Sequence, residues 1–226
     1  MLHKEQITKG RNDLARIESR HIHLFTRKKF GKEPIDHIFA KVGEKVTGVA
    51  NEKVFGFSEV YDWQISNEPE ALSHYMIGMM VGQMASDVTI VNSEIDIFCT
   101  IPTGLHIKGV NQRNENEYIV EPVYCKCPFD QDQFVRFKMM KSPQDVKAHF
   151  PKYYWRILDY MDNCKAIDAH LFVYHPLFPS GSQSVELPFN NIMITEDMHF
   201  LRQRKAEAEK IYRQTYYEMT KNVLSL

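Results

Sequence analysis

Two acids and a lysine, on neighbouring runs with strand character, are the residues of this sequence best placed to do chemistry. The run VTIVNSEIDIFCT (88–100) carries Glu94 and Asp96. Residues two apart on a strand point to one face, so both carboxylates would project together. The run YIVEPVYCKCP (118–128) carries Lys126, which shares a strand face with Tyr124. Carboxylates on one strand can hold Mg²⁺ through oxygen. A lysine on the next can steady an attacking water or the charge that builds on a phosphate. Together these meet the needs of a one- or two-metal phosphodiester-cleaving site. The same residues also fit an ordinary hairpin with solvated charges. Glu121 would face away from Lys126 in a regular strand, but a bulge at Pro122 would reverse that parity and bring it in. Asp130 and Asp132 lie just past the lysine.

The elements that must position these residues can be read in order. Residues 4–29 read as a charged helix with a sparse apolar stripe (Ile7, Leu14, Ile17, Leu24, Phe25), ended by Gly31. Arg27, Lys28, Lys29 and Lys32 are the densest basic cluster, either a solvated helix end or a phosphate contact. A second helix starts near Pro34 and carries Ile35, Ile38, Phe39 and Val42. Residues 43–58 read as irregular. A third helix spans 66–86, capped by Ser66 or Asn67, with Leu72, Tyr75, Met76, Met79, Met80 and Met84 mostly in the core. The acidic run, LHIKGV (105–110) and the lysine run then form an antiparallel meander, with Pro122 marking an edge or a bulge. Ser142-Pro143 and Pro151 start two more helices. The second buries Tyr154, Ile157, Leu158 and Met161 and leaves Tyr153, Trp155 and Arg156 nearer a ligand. A buried strand lies in 166–178, and one or two more lie in 182–194. A last helix runs from Glu196 to Val223, capped by Thr195, with Ile211, Tyr212, Tyr216, Met219 and Val223 facing inward. Its run RQRKAEAEK (202–210) reads as a solvated face. The order implies an α/β fold with a mixed, largely antiparallel sheet.

With 226 residues, 43% of them hydrophobic, the chain suits one globular domain, or one domain with an N-terminal extension. A net charge of −1 supplies no global basic field, so nucleic acid would need a local patch. The four cysteines (Cys99, Cys125, Cys127, Cys164) form no CxxC pair, which argues against a zinc or disulfide framework and for a reducing cytoplasm. No apolar run reaches membrane-spanning length, and the N-terminus has no hydrophobic signal core. His21 and His23 are two apart, a spacing unsuited to one helical face.

From Cys125 onward the chain resembles the lambda exonuclease and YqaJ-type viral recombinase family of the PD-(D/E)XK nuclease superfamily. Lys126-Cys127-Pro128-Phe129, then Gln133-Phe134 and Arg136-Phe137, match the family's lysine strand and the turn after it. PKYYWRILDYM (151–161) matches its Tyr-rich helix. Phe172-Val-Tyr-His175-Pro176-Leu177-Phe178 matches its Phe-x-x-Tyr-Asp-Pro-Arg-Phe strand, with His175 in place of the aspartate as a strand-end hydrogen-bonder. A long helix ends both. The resemblance covers about residues 118–220 and implies a restriction-endonuclease-like α/β core with a central mixed sheet flanked by helices, over 61–226, behind a helical region over 1–60.

The resemblance also says which positions should carry chemistry, and several depart. The family's Glu-x-Lys reads Tyr124-x-Lys126, and a phenol is a poor Mg²⁺ ligand because it ionises near pH 10. A family glutamate on the helix before the acidic strand falls near Gly82, with no acid there. Arg156 and Leu158 replace a Gln-x-Gln pair. The family's Ser-Pro-Asp-Gly turn is assigned to Ser93-Glu94-Ile95-Asp96, with Asp96 as its aspartate and Glu94 second. An N-terminal Arg-x-Gly segment has no clear match, and Arg27 stands in for its 5′-phosphate contact.

Two functions follow. One is a phage-type exonuclease of DNA recombination that hydrolyses double-stranded DNA ends with Mg²⁺ or Mn²⁺, of the 5′–3′ type by resemblance. Asp96, Glu94 and Glu121 would hold the metal and Lys126 would assist the nucleophile. Arg27, Lys28, Arg136, Lys138 and Arg156 would touch DNA. The other is a nuclease-fold protein that no longer cuts and binds DNA or a recombination or nuclease partner. A third reading is an unrelated α/β interaction protein. By resemblance alone, a ring trimer, a single-strand annealing protein as partner and a bacterial cytoplasm as setting, with a phage or prophage origin, complete the expectation.

Overall fold

The computed structural model describes residues 1–11, 13–51 and 58–221. Its centre is a six-stranded sheet with path β10-β9-β8-β7-β4, onto which β1 adds at β8. These strands are β1 (Leu2–His3), β4 (Met84–Ala85), β7 (Gly104–Asn111), β8 (Asn114–Lys126), β9 (Asp168–Tyr174) and β10 (Ser184–Asn190). The β8–β9 pair is parallel and the others are antiparallel, so the sheet is mixed as expected. A second, four-stranded sheet has order β2-β5-β6-β3, formed by β2 (Ile7–Lys9), β5 (Val88–Val91), β6 (Phe98–Thr100) and β3 (Ile17–Glu18). No described helix is long and apolar enough to cross a membrane.

Helices cover both faces of the larger sheet. On one face α2 (Glu59–Gly78) packs Ala71 and Tyr75 against Val123, Cys125 and Phe172. On the other, α5 (Pro151–Cys164) packs Tyr154, Ile157, Leu158 and Met161 with Tyr124, Leu171 and Val173. These four α5 residues are the stripe expected from spacing. Further helices are α1 (Lys32–Thr47), α3 (Gln131–Met139) and α4 (Pro143–His149), the last capped by Ser142 as read. The final helix, α6 (Thr195–Thr220), packs on α1 and α5.

Several local expectations are corrected. Residues 4–29 are not one helix. They form short strands and two 3-10 helices, Lys4–Gln6 and Ser19–Phe25. The sparse stripe could not bury a helical face, whereas short strands complete neighbouring sheets. α1 runs on to Thr47, where Gly48 adopts φ 69 as a left-handed C-cap. α2 begins eight residues earlier than Asn67, capped by Ser58, and passes through Pro69. It stops at Gly78, so the methionine spacing breaks and Met79 and Met80 lie exposed. Residues 182–194 hold one strand, β10, followed by a 3-10 helix over Asn191–Ile194, and on α6 Met219 is exposed. Val223 lies outside the described residues. Trp155 is buried against Tyr154 and Phe200. Arg204 and Lys205 are buried, not on a solvated face. Pro122 causes no bulge. It pairs in register with Leu105, and the register shifts in that pair lie at Ile107/Gly109 and Val110/Asn111, away from Pro122. On its other edge, Pro122 falls between the β1 partner Tyr118 and the β9 partner Val123, where a missing N–H breaks no ladder bond.

Candidate functional site

The acidic run is two strands and a turn. β5 ends at Val91 and β6 starts at Phe98, so Glu94 and Asp96 sit in the connection between them. The Asn92 side chain starts that turn: its Oδ1 accepts from the backbone N–H of Glu94 and of Ile95, both at 2.9 Å. These acids therefore belong to the smaller sheet, while Lys126 ends a strand of the larger one. Asp96 pairs with Arg213 of α6 at 3.4 Å. Glu94 pairs with Lys165 at 2.5 Å. Neither neighbourhood shares a residue with that of Lys126, so the structure does not bring these acids to the lysine.

Glu121 is also engaged elsewhere. With β8 regular at Pro122, it stays on the α2 face. It accepts from Lys108 Nζ at 2.5 Å and lies 3.2 Å from His106 Nδ1 and 3.4 Å from His170 Nε2. His170 Nδ1 is 2.6 Å from Glu186, and the ring packs near Tyr75. The contact with His170 is the leading cause that lowers the Glu121 carboxyl to about 2. Burial disfavours the charged imidazole, but its contacts with Glu121 and Glu186 outweigh burial and raise His170 to about 9. A raised histidine contributes stability in full below its unfolded value near 6.5 and loses it as pH climbs through 9. A lowered carboxylate contributes above 4.5 and loses it as pH falls through 2. Urea unfolding should therefore show stability falling by about 3 kcal/mol between pH 6 and pH 9.5, at about 1.36 kcal/mol per pKa unit. His170→Asn should flatten this fall. An unchanged slope in the variant would remove the assignment.

Lys126 is buried at the end of β8, and a different set of residues surrounds it. Gln64 of α2 is the organiser. Its Oε1 accepts from Lys126 Nζ at 3.0 Å and from the Cys127 N–H at 2.9 Å, and its Nε2 donates to Cys125 O at 3.1 Å and Glu68 at 3.0 Å. Gln64, Glu68, Ala71 and Tyr75 follow at i, i+4, i+7 and i+11, so one helical face carries two core residues and two polar ones. The neighbouring Trp63 fixes this end of α2 by donating Nε1–H to Pro128 O at 2.9 Å. Burial lowers the Lys126 ammonium and raises the Glu68 carboxyl.

Thr103 closes the pocket from β7. Its Oγ1 accepts from the Cys125 N–H at 3.2 Å, between Tyr124 and Lys126 in sequence. The segment Pro102-Thr103-Gly104 thus brings a hydroxyl to the end of β8. The glycine has a packing reason, since a Cβ there would come within 2.7 Å of Met84 Sδ and 2.8 Å of Leu72 Cδ1.

From α5, Tyr153 and Arg156 reach the same place. The Arg156 guanidinium lies 4.8 Å from the centre of the Tyr124 ring, and Lys126 Nζ lies 5.9 Å from that of Tyr153. Burial raises the Tyr124 phenol well above its ordinary range, so it stays neutral. Beyond Arg156 stands Glu18, already paired with Arg20 at 3.0 Å and Arg11 at 2.9 Å. The other residues read as DNA contacts lie apart. Arg27 and Lys28 are exposed in the turn before α1, Arg136 pairs with Asp132 at 3.7 Å, and Lys138 donates to Ser182 O at 2.5 Å.

These residues do not fit a divalent ion. Mg²⁺ needs several oxygen ligands from protein or phosphate besides water. Beside Lys126 there are a phenol, a threonine, an amide and one glutamate. Among the described residues no three His, Cys, Asp or Glu side chains are placed to hold a metal, and all four cysteines are free and buried. Gln64, Glu68 and Thr103 were the residues missed from sequence. The signals were the 64-68-71-75 spacing and the Pro-x-Gly triplet.

No family model and no curated protein match the chain. Solved structures do. An alkaline exonuclease from Laribacter hongkongensis superposes with a TM-score of 0.66 at 15% identity, over 92% of this chain and 95% of that one. The chain has an exonuclease fold. A second structure of that enzyme, in complex with dAMP, gives a TM-score of 0.60 at 16% identity, covering 90% and 94%. A phage-related exonuclease from Haemophilus somnus 129PT gives 0.59 at 11% identity, covering 90% and 96%. The resemblance drawn from residues 118–220 thus extends, as fold, over most of the chain.

Proposed function

We propose that this exonuclease-fold protein binds DNA at the Lys126 pocket and does not hydrolyse it through a bound divalent ion. One observation carries this. The residue beside Lys126 in the carboxylate position is Tyr124, and the acids read as its substitutes are tied to Arg213, Lys165 and the His106–Lys108–His170 group. A lysine without metal-bound water has no nucleophile to steady, yet it keeps its attraction for phosphate. The fold it shares with exonucleases, one of them seen with dAMP, supports a nucleic-acid ligand.

The test is incubation of the purified protein with linear double-stranded DNA and Mg²⁺ or Mn²⁺, beside Lys126→Ala. The expected result is no metal-dependent loss of DNA. Binding should weaken steeply with salt and fall several-fold in Lys126→Ala. Metal-dependent loss of DNA that disappears in Lys126→Ala would restore the hydrolytic reading.

A further inference from the structure

Cations of the chain itself converge at the end of β8. Lys126 ends β8, and Lys152 and Arg156 lie one turn apart on α5. Burial is the main influence that lowers both lysines, and repulsion from Arg156 lowers each further. Glu68 is the acid that faces Lys126, and it already accepts from Gln64. Arg156 Nε is buried with no hydrogen-bond partner. Its guanidinium lies 4.8 Å from the centre of the Tyr124 ring, with Glu18 and Glu68 acting on it only through space. A glutamate at that position would pair with the guanidinium and cancel its charge, whereas an aromatic face holds it and leaves its N–H edge and charge available.

We infer that the Arg156–Tyr124–Lys126 pocket binds a phosphate group directly, with the guanidinium and the ammonium supplying the positive charge that a divalent ion supplies elsewhere. This rests on the reading that Lys126 no longer serves metal-dependent hydrolysis. A guanidinium offers a phosphate two parallel N–H bonds, and Lys126 adds a point charge. The phosphate could be free or part of a DNA strand, and the chemistry is shared.

Calorimetric titration in EDTA tests this with inorganic phosphate, dAMP and a short single-stranded oligonucleotide lacking terminal phosphates. At least one should bind wild-type protein without metal, and added Mg²⁺ should not tighten it. Arg156→Gln should weaken that binding at least about tenfold, one bidentate charged pair being worth this much. Arg156→Lys, which keeps charge and loses the fork, should fall between. Binding of the oligonucleotide would assign the pocket to the strand backbone, and binding of the two small anions alone would assign it to a terminal or free phosphate. Either supports the inference. It is overturned if folded wild-type protein binds none of the three in EDTA, or if Arg156→Gln binds as tightly. Metal-dependent cutting in the DNA assay would overturn the proposed function separately, since the titration holds no metal.

Discussion

Lys205→Met is expected to destabilise the protein by about 3–5 kcal/mol, the cost of removing one partner from a buried ion pair. Lys205 is fully buried in the middle of α6. Its ammonium donates to Asp159 at 2.9 Å, Asp162 at 2.7 Å and Asn163 at 2.7 Å, all on α5. The cluster reaches further. Ser19 of the second 3-10 helix donates to Asp159, Asn92 donates to Asn163 at 2.8 Å, and Arg202 donates to Asp162 at 2.7 Å. One lysine thereby ties α6, α5, the N-terminal segment and the turn carrying Glu94 into one polar core. Methionine fills similar space but leaves two buried carboxylates facing each other. At about 2–4 °C per kcal/mol for a chain of this size, the melting midpoint should fall by roughly 6–20 °C. Asp159→Asn in the same background should recover part of the loss, because it removes one uncompensated charge. A loss below about 1 kcal/mol would show that water or rearrangement already satisfies these acids.

That cluster also shows where reading the sequence reached its limit. In RQRKAEAEK the charges repeat at i,i+4 spacing, as on a solvated helix face, and nothing local marks Lys205 as buried. Its partners lie more than forty residues away, at 159, 162 and 163. Local signals served well where one element decides its own fate. Ser142 and Pro143 start α4, and the 154-157-158-161 stripe of α5 is the buried face. Lys126-Cys127-Pro128 led to the fold. The acids failed for a different reason. Glu94 and Asp96 share a strand face only if residues 88–100 are one strand, and the Asn92 side chain turns the backbone between them. Once that turn exists, the acids leave the larger sheet. The Pro102-Thr103-Gly104 triplet instead reaches the end of β8 and supplies a hydroxyl there. Glu68 was hidden by starting α2 at Asn67, which put the acid in the first turn and not on the face of Gln64.

If the residue types beside Lys126 are what exclude an ion, then placing carboxylates there should create ion binding. The variant Thr103→Asp/Tyr124→Glu/Arg156→Gln would set two new carboxylates beside Lys126, with Glu68 already there. Arginine must go as well. In Tyr124→Glu alone, the new carboxylate would pair with Arg156, which lies against the ring it replaces, and stay closed to metal. The triple variant should lose stability without metal, because it buries like charges and gives up the packing of Tyr124 on Tyr153 and Tyr160. Mn²⁺ should return that stability by mass action, about 2.7 kcal/mol at one hundred times the dissociation constant, which is a rise of roughly 5–11 °C in midpoint. The wild-type midpoint and that of Tyr124→Glu should not move with Mn²⁺. A wild-type midpoint that rises as far as the triple variant's would mean that other oxygens already hold an ion. A folded triple variant indifferent to Mn²⁺ would mean that Thr103 and Tyr124 do not point at a common centre.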